Sequence, residues 1–488
     1  MKAERCGYIL AKITLNKLLK CIGVACQTTI EVQGITDRSD EAKQDWLFIS
    51  LHGTRDSGEK YLDEVLAKGA YVLSSEPHDD ERIFFYEHLH KAAAELLDVY
   101  YARPYEKLHV CGVTGTSGKT SVSSLCVQLL NAQGLKTMLI GTNGIQYEQQ
   151  MIPTGNTTPS LFILMRCLHE ALERGITHVV MEVSSHAVAT HRIGNIRYDV
   201  IIFTRITSDH LDFHFTQSQY RYTKFKLRFS LKPQGTVILH NDDQKMREFY
   251  QLNHHKLITY GFQAAHFTAE SPVVTDRDSS FVMHDYTFHS PLLSDVNILN
   301  TAAVIAYGRL IQVSYAKLQE TVSRFQGIPG RLECIRTQAY TIWIDYAHTS
   351  DALKNVLLFA EKVKTNRVIT VIGCGGERDR IKRPLMAELS AHYSDLTILT
   401  ADNPRSEWLP QILFDMCPEP KPNTVIIEDR RCAIKHAVKN AGNGDIIIIA
   451  GRGNEAYQTI YGQRIRFLDQ EAVKEILLRE EVPWISNI

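Results

Sequence analysis

A chain of 488 residues is long enough for roughly three domains of about 150 residues each, and its 44% hydrophobic and 22% charged content is that of an ordinary globular protein. The 54 Lys and Arg against 55 Asp and Glu leave no basic field to gather nucleic acid, so an acidic ligand must be met by a local cluster of cations. No run of about 18 apolar residues occurs, which excludes a membrane-spanning helix, and no membrane insertion is expected.

From the N-terminus, Lys12, Lys17 and Lys20 interrupt the apolar stretches, so no signal-peptide core forms. The ten cysteines include no CxxC pair and read as reduced thiols, several of them inside apolar runs, which points to the cytoplasm. Short β-branched apolar runs follow: LFISL (47–51), HVCGV (109–113), TMLIG (137–141), HVVMEV (178–183), DVIIFT (199–204) and TVILH (236–240). After residue 330 come TIWID (341–345), VITVIG (368–373), LTILT (396–400), TVIIE (424–428) and DIIIIA (445–450). Continuous apolar strands separated by helical periodicity predict an α/β fold whose parallel sheets are covered on both faces. Between Ser121 and Asn131 the apolar residues Val122, Leu125, Cys126, Leu129 and Leu130 share one helix face, and Gly134 can end the segment. Breaks at Arg103-Pro104 and at GIPGRLE (327–333) cut the chain into α/β domains at 1–105, 106–330 and 331–488.

The strand HVCGV runs into TGTSGKTS (114–121) and then into that helix. A glycine-rich turn between strand and helix offers backbone N–H groups and a positive helix end to phosphates. Gly115, Thr116, Ser117, Gly118, Lys119, Thr120 and Ser121 are therefore the candidate phosphate loop, with Lys119 for the terminal phosphates of ATP and the Thr120 hydroxyl for Mg²⁺. The spacing is GxxGxxGKTS, with Val113 where the usual loop has its first glycine. Such a loop needs a carboxylate from a neighbouring strand, and HVVMEVSSH supplies Glu182. SDHLDFH (208–214) brings Asp209, His210, Asp212 and His214 together; for most of these, capping and loop hydrogen bonding is the favoured reading. Mg²⁺ prefers oxygen donors, so His210 on its own residues is a weak candidate.

GxxGxxGKTS, MEVSSH, TSDHLDFH, PGRLE, IDYAHT and DNPR, in this order over about residues 36 to 470, resemble the Mur ligases of peptidoglycan synthesis. The resemblance implies a uridine-nucleotide domain, then a central P-loop ATPase domain, then a Rossmann-like C-terminal domain that binds an amino acid. It implies that UDP-MurNAc-L-Ala-D-Glu, a diamino acid and ATP give the UDP-linked tripeptide, ADP and phosphate through an acyl phosphate. It also implies that Lys119, His210 and Lys224 are catalytic, with Thr120, Glu182, His210 and a carbamylated Lys224 at the metal. Without the family, Lys224 reads as a solvated helix lysine. Asn297, Asn300, Arg331, Asp345, Tyr346 and His348 are implied on the ATP side, although helix capping also accounts for the two asparagines and a boundary ion pair for Arg331. Ser39, Asn156, Thr157, Thr158, Ser184, Thr190 and Arg192 are implied for the UDP-sugar-peptide. A monomer is expected.

DNPR (402–405) follows the strand LTILT at its carboxyl end, where α/β sheets place ligands. In the family this motif accompanies meso-diaminopimelate, whose distal carboxylate suits the guanidinium fork of Arg405. Lysine would leave Arg405 without a partner. Arg378, Asp402, Asn403, Pro404, Gly451 and Glu455 match the remaining family contacts. DNP is also an ordinary turn, and Arg405 could instead pair with Glu407.

Ser117, Ser350, GRGNE (451–455) and Thr190 depart from the family's commoner Asn, Pro, GKGHE and Gln. DRSDEAKQDWLF (37–48) carries an extra residue, which leaves Ser39 and the GTRDSG loop (53–58) loosely assigned. Two competing readings are a folylpolyglutamate synthase-like ligase, which lacks a uridine domain, and an ATP-binding switch protein without catalysis.

Overall fold

The computed structural model describes residues 13–53, 57–207, 209–244, 246–247, 256–419 and 421–486. Its contacts divide the chain into two compact units, one of residues 1–114, 133–201 and 223–236, the other of 115–132, 202–222 and 237–488.

The first unit opens with β1 (Gly34–Thr36), β2 (Trp46–Ile49), β3 (Tyr71–Ser74) and β4 (Ile83–Phe85), four parallel strands adjacent in that order. The helix Leu89–Tyr100 buries Leu89, Ala92, Ala93, Leu96, Leu97 and Tyr100. A second sheet contains β5 (His109–Thr114), β6 (Thr137–Gly141), β7 (Gly144–Tyr147), β8 (Gln150–Ile152) and β9 (His178–Glu182), in the order β5-β9-β6-β7-β8. β5 and β6 flank β9 in parallel, and β7 and β8 add an antiparallel edge. All five residues of β6 are buried and four of five in β9, as expected for strands covered on both faces. β10 (Tyr198–Phe203) lies beside β5, and β11 (Leu231–His240) beside β10; both strands end in the second unit.

In the second unit β12 (Lys256–Gly261) and β13 (Phe267–Thr268) extend the sheet beyond β11. A small antiparallel sheet of β14 (Glu270–Val274), β15 (Ser279–Met283) and β16 (Tyr286–Ser290) follows. The apolar periodicity predicted a helix over 121–131, and it runs from Lys119 to Ala132. It packs on the buried helix Asp295–Leu310, where a Cβ on Gly308 would stand 2.9 Å from Leu129.

The rest of the second unit is a seven-stranded sheet built from β17 (Glu333–Thr337), β18 (Thr341–Asp345), β19 (Val368–Ile372), β20 (Leu396–Leu399), β21 (Thr424–Ile426), β22 (Ile446–Ala450) and, after the hairpin β23 (Tyr457–Ile460) and β24 (Gln463–Arg466), β25 (Trp484–Ser486). Its order is β21-β20-β19-β22-β18-β17-β25, parallel from β21 to β18 and antiparallel beyond. Strand alternation sorts the side chains to two cores: Trp343, Ile446 and Ile448 face one, Ile342, Ile344, Ile447 and Ile449 the other. The carboxyl ends of β18, β19, β20 and β22 therefore share one edge, which carries IDYAHT, GCGGER, DNPR and GRGNE.

Every apolar run singled out in the sequence forms a strand. Strands β1, β3, β4, β7, β8, β12 to β17 and β23 to β25 are not among those runs. No helix among the described residues is long and apolar enough to cross a membrane. No disulfide joins any of the nine described cysteines.

Candidate active site

In the second unit the phosphate loop turns between β5 and the helix Lys119–Ala132. Gly118 has a φ of +85°, and a Cβ there would stand 2.4 Å from the Asn300 amide oxygen; a Cβ on Gly115 would stand 1.8 Å from the Thr204 hydroxyl. Both positions thus require glycine. The segment after β10 braces the loop: Thr204 Oγ1 donates to Ser117 O at 2.6 Å, Thr116 N to Arg205 O at 2.9 Å, and Thr207 N to Thr116 Oγ1 at 3.0 Å. Thr116 also shares a 2.9 Å hydrogen bond with the Tyr220 hydroxyl. Lys119 Nζ donates to the carbonyls of Gly115 and Thr116 at 2.8 and 2.9 Å, which holds the ammonium over the loop.

Asn300 Nδ2 donates to Asn297 Oδ1 at 3.1 Å, and Asn297 Nδ2 to Leu293 O at 2.8 Å. The N-cap of their helix is Ser294, so capping is not what occupies these asparagines. Arg331 lies over the Tyr346 ring at 4.1 Å and reaches Thr120 Oγ1 at 3.5 Å. Asp345 accepts from Leu332 N at 2.7 Å; burial pushes its carboxyl up against the pull of Arg331. At Gly330, φ is +70° and a Cβ would stand 2.3 Å from Asn454 N, so PGRLE and GRGNE touch backbone to backbone.

His210 is in the left-handed region, with φ at 54°, and its imidazole lies 3.3 Å from Asp209. Burial pushes the Asp209 carboxyl up, but His348, His210 and Lys382 together bring it below the usual carboxylate range. Lys382 donates to His348 O at 2.9 Å, and His348 Nε2 lies 4.0 Å from Asp209. His214 is buried edge-on against Tyr220. Of the expected capping and loop hydrogen bonding, Asp209 Oδ1 accepts from His210 N at 2.8 Å, whereas His210, at the N-cap of the helix Leu211–His214, makes no side-chain cap.

In the first unit Glu182 is fully buried, accepting from Thr142 N at 3.1 Å and Thr142 Oγ1 at 3.0 Å. Thr157 shares a 3.1 Å hydrogen bond with the same threonine. Thr158 Oγ1 donates to Glu182 O at 2.9 Å and accepts from Ser184 N at 3.0 Å. Ser184 caps the helix Ser185–Ala189. Arg192 donates to Thr158 O at 2.8 Å and to Thr190 Oγ1 at 3.1 Å, and burial pulls its guanidinium down. Asn156 is exposed. Ser39 is half-buried and its carbonyl accepts from Lys68 at 2.7 Å. Thr54, Arg55 and Asp56 of the GTRDSG loop lie outside the described residues. Lys224, in the last turn of the helix Gln217–Phe225, is only 1% exposed, so it is not the solvated lysine that its polar helix suggested. In this unit the buried Glu182 carboxylate is an oxygen donor of the kind Mg²⁺ prefers, and a carbamate on Lys224 would be another; in the second unit the Thr120 hydroxyl is of the same kind. His210 is the less fitting nitrogen donor.

At the carboxyl edge of the seven-stranded sheet, Asn403 Nδ2 donates to Glu455 Oε2 at 2.6 Å, and Tyr346 Oη to Glu455 Oε1 at 3.3 Å. Burial and then the neighbouring Asp402 push the Glu455 carboxyl up. A Cβ on Gly451 would stand 2.8 Å from Asp402 Oδ2. Pro404 is buried, and Arg405, with φ at 56°, donates through Nη1 to Gly376 O. Glu407 pairs with Arg380 and Arg383 at 3.1 and 3.0 Å, which replaces the possible pairing with Arg405. Arg378 is exposed on the neighbouring loop.

Residues 113–308 match the Mur ligase middle domain, and 330–453 the Mur ligase glutamate ligase domain. The UDP-N-acetylmuramoyl-L-alanyl-D-glutamate–2,6-diaminopimelate ligase of Aquifex aeolicus is 36% identical over 91% of this chain and 94% of its own. The chain belongs to the Mur ligase family. A solved structure of a UDP-N-acetylmuramoyl-L-alanyl-D-glutamate–2,6-diaminopimelate ligase superposes with a TM-score of 0.68 and 28% identity, covering 96% of this chain and 99% of that one. Folylpolyglutamate synthase of Mycobacterium tuberculosis shares the fold with a TM-score of 0.61 and 15% identity, but covers only 74% of this chain. The three-domain α/β architecture of Mur ligases, with a parallel P-loop sheet and a Rossmann-like C-terminal sheet, is therefore that of this chain.

Residues that sequence reasoning passed over now stand out: Thr142 on Glu182, Thr204 and Tyr220 on the phosphate loop, and Lys382 on His348. Their partners are distant in sequence, so no local spacing could have marked them. Thr204, the last residue of DVIIFT, had the best signal as a polar group ending an apolar strand.

Proposed function

We propose that this chain is an ATP-dependent ligase that adds meso-diaminopimelate to UDP-MurNAc-L-Ala-D-Glu in peptidoglycan precursor synthesis, within domains limited to 1–105, 106–330 and 331–488. The observation that carries the reading is Arg405, in the loop at the carboxyl end of β20 whose Asn403 donates to Glu455, in a chain similar over 91% of its length to a diaminopimelate ligase. A guanidinium fork and a carboxylate suit the distal carboxylate and ammonium that this amino acid carries together.

We assign Gly115 to Ser121 to the phosphates of ATP, with Lys119 on the terminal group, and Asn297, Asn300, Arg331, Asp345, Tyr346 and His348 to the rest of the nucleotide. Thr120, Glu182, His210 and carbamylated Lys224 would hold Mg²⁺, which when bound would neutralise phosphate charge. Ser39, Asn156, Thr157, Thr158, Ser184, Thr190 and Arg192 are assigned to the UDP-sugar-peptide, and Arg378, Asp402 to Arg405, Gly451 and Glu455 to diaminopimelate. A substrate carboxylate attacks the terminal phosphorus, the bond to ADP breaks, and an acyl phosphate forms. The amine of diaminopimelate then attacks the acyl carbon, loses a proton and expels phosphate. Backbone N–H groups and Lys119 stabilise the charge that spreads over the transferring group. The Thr204 and Tyr220 braces keep that loop preorganised.

The test is mass analysis of products from the UDP-dipeptide with ATP and equal meso-diaminopimelate and lysine. The diaminopimelyl tripeptide should dominate. Equal incorporation of lysine would remove the assignment of Arg405, and no tripeptide of either kind would remove the reaction.

A further inference from the structure

The hairpin β23–β24 binds the DNPR loop along its length. Gln458 is 7% exposed, and its Nε2 donates to Asp402 O at 2.6 Å. The buried Arg452 reaches the same carbonyl at 3.3 Å and the carbonyls of Glu455 and Phe467 at 3.1 Å each. Thr459 N donates to Asn403 Oδ1 at 2.9 Å, and a backbone N–H can only donate. The Asn403 amide is thereby oriented with Nδ2 toward Glu455. Arg405 N donates to Thr459 O at 2.9 Å, and Tyr461 N to Arg405 O at 2.5 Å. Those two bonds hold Arg405 at a left-handed φ of 56°, a conformation that non-glycine residues rarely adopt. One hairpin thus sets the carbonyl of Asp402, the amide of Asn403 and the backbone of Arg405.

We propose that β23–β24 is the positioning element for amino-acid recognition and that Gln458 is the side chain through which it acts. This rests on the assignment of the DNPR loop to diaminopimelate. Gln458 touches no substrate in this account. It fixes the strand end from which Asn403 and Arg405 project, so its loss lets the loop relax before the amino acid binds.

The test is steady-state kinetics on the full-length protein with Gln458→Ala and Gln458→Glu. Gln458→Ala should raise KM for meso-diaminopimelate about tenfold, the factor matching one lost neutral hydrogen bond. The expected kcat is within about twofold of wild type, and KM for ATP and for the UDP-dipeptide should not move. Gln458→Glu keeps the shape but turns an oxygen toward the Asp402 carbonyl, so it should do at least as much harm. A Gln458→Glu enzyme with wild-type KM for diaminopimelate overturns the proposal, because a space-filling role would predict that. Equal losses across all three substrates overturn it too, as does a wild-type enzyme that turns over the UDP-dipeptide with lysine but not diaminopimelate. The last outcome also removes the parent assignment, whereas the first two leave it standing.

Discussion

Lys119 and Arg405 are the side chains whose chemistry the sequence and the fold both single out. Lys119 bends over the loop carbonyls of Gly115 and Thr116, and in its proposed role its charge would meet the terminal phosphate. Lys119→Ala should lower ligation by about 10³-fold, read as phosphate released in the presence of both co-substrates. Undiminished release would take the phosphate loop out of the reaction. Arg405→Lys keeps a cation but loses the fork, so KM for meso-diaminopimelate should rise at least about tenfold while discrimination against lysine narrows. Unchanged competition between the two amino acids would show that selection lies elsewhere. Lys224 teaches the opposite lesson about single residues. Its segment SQYRYTKFKLRF is polar and charged, and only the fold reveals the burial of its ammonium.

Among the elements, two buried arginines tie helices to the seven-stranded sheet. Arg430, on the helix Arg430–Asn440, and Asp469, on the helix Asp469–Arg479, are both fully buried and joined at 2.7 and 2.8 Å. Arg430→Met strands the Asp469 charge in the interior and should destabilise by about 3–5 kcal/mol, seen as a lower urea midpoint. Arg430→Met with Asp469→Leu should recover much of the loss. Arg383 binds Glu407 and Asp415, at 3.0 and 2.7 Å. Burial raises the Glu407 carboxyl, but the Glu377 N–H, Arg383 and Arg380 outweigh it and set it below its ordinary 4.5. A carboxyl lowered by folding contributes stability above that ordinary value and loses it as pH falls through the folded one. The thermal midpoint of wild type should therefore drop as pH is taken from about 5 to about 3. Arg383→Met should flatten that slope, and parallel slopes would argue that the clamp does not titrate.

For the whole molecule, ligation makes ATP use conditional. Phosphate release by the intact protein should need both the UDP-dipeptide and meso-diaminopimelate, and lysine should replace the latter poorly. Hydrolysis indifferent to both would instead describe an ATP-driven switch. The architecture was readable in advance because covered parallel strands must be apolar on both faces, and β5, β6, β9, β18, β19 and β22 are. Edge and hairpin strands such as β8, fully exposed, or β24 carry no such imprint, since half or all of their surface meets water.

Local sequence determined what covalent neighbours can specify: the glycine turn before a helix, the apolar strands, and DNPR at a strand end. Those features need only short-range sterics and one periodicity. Tertiary structure alone decided the burial of Lys224, the Thr142 bonds to Glu182, and the hairpin that orients Asn403. Each depends on groups tens of residues apart meeting in one place, and nothing in the order of residues along a chain encodes which distant N–H a given amide will find.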